Sequence, residues 1–197
     1  MENLRINHGP LTSLPLDPAR EIRFAVVHRE VESIVSASGF GASQLPLEYF
    51  TEQTQGVLIE TEAAMRSKGS STISSELILH RLLNAPNSRA RLILRWMRVE
   101  PDSVVERLES TLPPVSPGGA QVYMWTARQI ILLALTEACL TGIRTEPEHL
   151  LLGVLHPKLE RTYAHIHLTN EMRAAGVATP LDSLREAIQR FSPALAS

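Results

Sequence analysis

The groups through which this 197-residue chain could do chemistry are seven histidines, one cysteine and a row of arginines on one helix. His165 and His167, taken with His149 and His156, raise the question of a metal. On a helix, residues two apart point to different faces, so this spacing suits one tetrahedral ion poorly and no metal site is expected. Cys139 stands in an apolar stretch with no basic neighbour in sequence, which predicts a buried, inert thiol. Gly39-Phe40-Gly41 is a fragment of a dinucleotide fingerprint and reads more simply as a helix stop. Neither G-x-S-x-G, H-E-x-x-H nor G-x-x-x-x-G-K-[ST] occurs, so no catalytic residue, cofactor or ATPase module is expected. Arg91, Arg95 and Arg98 fall at i, i+4 and i+7, opposite an apolar stripe. They read either as a docking patch for an acidic partner or as a solvated helix face.

Bulk properties narrow the classes further. Nineteen basic residues against twenty-one acidic ones give a formal net charge of -2, with no global pull toward nucleic acid or an anionic membrane. One cysteine rules out an intrachain disulfide and fits a reducing, cytoplasmic setting. The most apolar run, around Ile130 to Leu135, is far shorter than the roughly 20 residues of a membrane span and predicts a core helix. Residues 1–17 lack the apolar region of a secretory signal.

The elements that must position these residues read as helices throughout. Asp17-Pro18 looks like a helix start, followed by Ile22, Val26, Val27, Val31, Ile34 and Val35 at helical spacing. That extra helix would cover an apolar groove of its own chain or mediate dimerisation. Thr51 is a plausible N-cap for a helix carrying Val57, Leu58, Thr61 and Met65 up to Gly69. Ser74 or Ser75 opens a short helix with Leu79, Leu82 and Leu83. Ala90, Ile93, Leu94 and Met97 form the next stripe, and Pro101 opens another with Val104, Val105 and Leu108. Pro113, Pro114, Pro117, Gly118 and Gly119 make a linker. The same order then returns: an apolar helix from Thr126 to Leu140, a short one at Leu150 to Leu155, a longer one reaching Met172, and a last one with Leu181, Leu184, Ile188 and Phe191. No stretch alternates long enough to predict a sheet.

The two halves also match residue by residue. Glu76-Leu77-Ile78-Leu79 lies over Glu148-His149-Leu150-Leu151, Gly69 over Gly142, and the apolar pattern ending at Val99 over that ending at Val177. Duplicated helical units pack around a pseudo-two-fold axis because neither half buries its apolar faces alone. Phe50-Thr51-Glu52 with Val57-Leu58, Gly69 and Ser75-Glu76, and above all Glu148-His149-Leu150-Leu151-Leu152-Gly153-Val154-Leu155, resemble the repeats of the Clp N-terminal domain family, as found ahead of the ATPase rings in ClpC- and ClpA-type chaperones. The resemblance covers residues 47–191. It implies an all-α fold of two pseudo-symmetric four-helix repeats, here with an extra N-terminal helix. The expected layout is an arm and extra helix over 1–46, repeats at 47–112 and 122–192, and a linker at 113–121. His80-Arg81 stands where the family has Leu-Gly, Arg98 where it has glycine, and the second repeat carries an insertion around Lys158 to Leu168.

The resemblance also implies candidate ligand residues. In the ClpC branch a threonine heading the first helix of a repeat and a glutamate heading the second hold phosphorylated arginine. The matching residues are Thr51 and Glu76 in the first repeat and Glu148 in the second. There a direct count from Gly142 reaches Met124, whereas a local gap makes Thr126 the match. A hydroxylated helix N-terminus suits an anion and a carboxylate forks to a guanidinium. The residues themselves leave a plainer reading open: Thr51 as an N-cap, Thr145-x-x-Glu148 as a capping box, and Glu76 as an acid on a helix dipole. The implied function is a free-standing, non-catalytic adaptor or decoy for substrates, phosphoarginine-tagged proteins or small ligands of a Clp unfoldase or protease. The alternative is a structural accessory subunit bound to the protease core or a chaperone ring. Nucleic acid and membranes are not expected partners.

Overall fold

A computed structural model describes residues 18–38, 45–67, 72–85, 88–112 and 122–191. The expected linker, the arm before Pro18 and the stops at Gly39, Gly41 and Gly69 lie outside them. The described residues form nine helices: α1 Pro18–Ser38, α2 Glu52–Ser67, α3 Ser75–Asn84, α4 Arg89–Trp96, α5 Pro101–Glu109, α6 Trp125–Thr141, α7 Pro147–Leu155, α8 Tyr163–Ala174 and α9 Pro180–Phe191. The fold is all-α, with α2 to α5 answered by α6 to α9.

Local chemistry sets the ends of these helices. Ser74 accepts the N–H of Leu77 and caps α3. Pro101, Pro147 and Pro180 fill first-turn positions, where no backbone N–H is missed. Gly142, at φ 71°, closes α6 in the left-handed conformation that glycine adopts without penalty.

The periodic stripes meet in one core that runs through both halves. Helix α6 is apolar nearly all round because it is covered on two sides, by α7 and by α1. Helices α6 and α7 touch closely at Gly153: a Cβ there would lie 2.5 Å from the carbonyl oxygen of Ile130. The extra helix α1 lies on its own chain. It buries Phe24, Val31 and Val35, each worth about 1.5–3 kcal/mol if fully transferred from water. Arg20 reaches the buried Glu137 at 2.7 Å, and Phe24 stacks between His28 and His156.

Two links between the halves escaped the period-two search because they are too short to alternate. Strand β1 (Thr72–Ile73) pairs in parallel with β2 (Val122–Tyr123), in register Ile73 with Tyr123. A parallel bridge joins Phe50 to Thr145. Each bridge ties the segment ahead of one repeat's first helix to the segment ahead of the other repeat's second helix. Phe50 therefore corresponds to Tyr123, and Thr145 to Ile73, which is the cross-pairing a pseudo-two-fold axis produces.

Candidate functional site

Four helix heads gather the residues that the sequence singled out. At the head of α2, the Thr51 N–H donates to the carbonyl of Thr145 at 3.1 Å, and its hydroxyl lies 3.0 Å from that of Thr54 and 3.3 Å from the same carbonyl. Thr54 donates to that carbonyl too, at 2.8 Å. Thr51 is thus a cap sealed against the second repeat. At the head of α6, the Met124 N–H donates to the carbonyl of Ile73 at 2.9 Å. That bond mirrors the one from Thr51, so Met124 stands in its place, as the direct count from Gly142 gave. Thr126 lies two residues further on, inside the first turn of α6.

The glutamates separate as well. Glu76 accepts the hydroxyl of Ser75 at 3.0 Å and the N–H of Ala164, in the first turn of α8, at 3.4 Å. The cross-pairing sets its helix beside the head of α6, while Thr51 is joined to the segment three residues before Glu148.

Glu148 is fully buried and already holds a guanidinium. Arg89, the first residue of α4, reaches Glu148 at 2.9 Å and Glu146 at 2.5 Å. Burial, reinforced by the Glu146 carboxylate, pushes the Glu148 pKa up to about 8, against the pull of Arg89. The capping box of α7 falls one residue later than Thr145-x-x-Glu148. Glu146 is the cap, and its N–H donates to Nδ1 of His149 at 3.0 Å. Thr145 is instead the inter-repeat bridge residue.

The arginine row is likewise engaged. Arg91 makes a two-pronged contact with Asp102 at 2.8 and 3.0 Å and also donates to the Leu83 carbonyl, and Arg95 lies 3.6 Å from Asp102. The Arg91 bond holds the Asp102 carboxyl below its usual range. Arg98 is exposed and adopts φ 63°, the left-handed conformation its counterpart Gly176 takes at 86°. His165 is 3.0 Å from the Val154 carbonyl and His167 stacks on Tyr163. Among the described residues no group of three His, Cys, Asp or Glu side chains is set to hold a metal. Cys139 is exposed, contrary to the buried thiol expected; it lines a small apolar pocket with Val31, Ile34 and Val35 of α1 and with Pro46 and Tyr49. Partial desolvation and the charge of Glu30 raise its pKa.

The sequence reading missed an open feature on the other side of the molecule. Trp125, Thr126, Lys158, Leu159, Arg161 and Thr162 line a cleft of about 370 Å³ between the α6 head and the turn before α8. Trp125 is 60% exposed, Tyr163 57% and Met124 44%, with Val122 and Ile166 exposed nearby. The signal in the sequence was the run Val122-Tyr123-Met124-Trp125. Its apolar character merges with that of the buried helix that follows, so periodicity could not tell floor from rim.

The family model for the Clp repeat (R) N-terminal domain matches residues 49–162. The chain belongs to that family. Two solved structures share the Clp N-domain fold. The N-terminal domain (1–163) of the ClpV1 ATPase from the E. coli EAEC Sci1 type VI secretion system is 16% identical, covering 91% of this chain and 93% of that one, with a TM-score of 0.58. A structure concerned with coevolution of the ATPase ClpV, the TssB-TssC sheath and the accessory HsiE protein in two type VI secretion classes is 14% identical, covering 74% and 88%, with a TM-score of 0.53. No curated protein matches the chain. No described helix of this Clp N-domain is long and apolar enough to cross a membrane.

Proposed function

We propose that this Clp N-domain is a docking module of a Clp-type machine, an adaptor or decoy that acts in the cytoplasm, holds a protein partner and catalyses nothing itself. The observation that carries this reading is that Thr51, Glu76 and Glu148 are already engaged by partners within the chain. Arg89 occupies the position at Glu148 that a ligand guanidinium would take, and Thr51 and Glu76 are turned to partners within the chain. A closed acid site argues for recognition of protein surface in place of phosphoarginine. By fold likeness, the partners to try are the ATPase and protease components of Clp systems, their substrates, and the sheath or accessory proteins of type VI secretion. A structural accessory subunit is the second reading. The same closure favours it, since such a subunit needs no ligand pocket.

Calorimetric titration with free phosphoarginine tests the first point. The expected result is no saturable heat from the folded wild type. One-site binding that Glu76→Ala abolishes would return the protein to the phosphoarginine readers. Surface-immobilised protein challenged with purified Clp ATPase, protease core and type VI sheath then separates the two readings. Capture of protease core or ring alone selects the accessory subunit, capture of substrate-side proteins selects the adaptor, and capture of none sinks both.

A further inference from the structure

We propose that the Trp125 cleft is the docking surface for an apolar segment of a partner protein flanked by acidic residues. The inference rests on the docking reading above and adds the place and the chemistry. Exposed Trp, Tyr and Met gathered in one patch are the side chains that dominate protein interfaces, because they bury large area at low entropic cost. Here Met124 and Trp125 are exposed at the head of α6 and Tyr163 at the head of α8, and the buried Leu159 lines the cleft with Trp125.

Charge selects the occupant. Lys158 and Arg161 are both exposed on the cleft wall, with Glu160 the acid between them. Lys158 is further placed by a 3.2 Å contact to Nε2 of His28. The corresponding head of α2 has the opposite balance: Glu48 and Glu52 are exposed there, with Arg144 the nearby cation. An acidic-flanked segment is thus attracted to the Trp125 end and repelled from its pseudo-symmetric mate.

The test uses the full chain and two synthetic peptides with the same Leu-Phe-Leu core, one flanked by Asp and Glu and the other by Lys. The acidic peptide should bind at one site, at least about tenfold tighter than the basic one, and weaken with added salt. Trp125→Ala should weaken it about tenfold or more, and Lys158→Glu with Arg161→Glu should erase the preference between peptides. Trp125 is mostly exposed, so the variant's melting curve should match the wild type. Equal affinity for both peptides, no binding of the acidic one, or binding indifferent to Trp125→Ala would overturn the proposal. A failure here with partner capture intact leaves docking in place at another face. A failure of both removes the docking reading itself.

Discussion

The two repeats solve the same backbone problem and fill it with different side chains. At the α2 head a threonine cap closes the junction, whereas at the α6 head Met124 and Trp125 leave it open. At the second-helix heads, Glu76 bonds to the backbone of α8, while Glu148 contacts the Arg89 guanidinium at 2.9 Å. Five residues past those glutamates stand Arg81 and Gly153, and at the turn before the last helix stand Arg98 and Gly176. The lesson is that duplication fixes the path of the chain through hydrogen bonds common to all sequences. The surface chemistry of each copy is then free to diverge wherever the side chain points away from the shared core.

The largest effect should come from opening the charged junction. Arg89→Ala leaves the buried Glu148 and the half-buried Glu146 without their shared guanidinium and should cost about 3 kcal/mol in urea denaturation. Glu76→Gln, at the equivalent place, loses only weakened hydrogen bonds and should cost about 1 kcal/mol. Equal costs would mean the two acids play one role. The same site has a pH signature. Folding raises the Glu148 pKa from an ordinary value near 4.5 to about 8, so between those limits the folded state holds a proton that the unfolded state releases. Stability should therefore fall as pH rises through this window and level off above it. Glu148→Gln should flatten that slope, and an unchanged slope would place the titration elsewhere.

A smaller effect is expected where the helices touch. Gly153→Ala drives a methyl into the Ile130 backbone and should cost about 2 kcal/mol, whereas Arg81→Ala should stay within about 0.5 kcal/mol. Similar losses would show that α2 and α3 pack as tightly as α6 and α7. The smallest effect should be a gain: Arg98→Gly relieves the left-handed strain and should add about 1 kcal/mol to stability, seen as a higher denaturation midpoint. No gain would indicate that the side chain of Arg98 repays its strain.

Much of the fold was legible in residue order. The stripes at Ala90, Ile93, Leu94 and Met97 and at Leu181, Leu184 and Ile188, the prolines at helix starts and the apolar run of α6 are local signals, and they formed the helices expected of them. Candidate site residues were legible as helix heads but not as partners. Thr51 and Glu76 share a repeat in sequence, yet the bridges Phe50–Thr145 and Ile73–Tyr123 are contacts across 95 and 50 positions that two-residue pairings cannot announce. The capping box sits one residue later than Thr145-x-x-Glu148 because the bridge to Phe50 commits Thr145 to the other repeat and leaves Glu146 at the head of α7.

By itself the sequence determined the helices, their order, the duplication and the family, because these follow from periodicity, capping chemistry and repeated motifs carried by neighbours in the chain. Only the tertiary structure decided that Arg89 meets Glu148, that Met124 stands where Thr51 does in the other repeat, and that Trp125 is exposed while the middle of its helix, from Gln129 to Ala138, is buried. Those are long-range outcomes, set by which face of each helix the other half happens to cover.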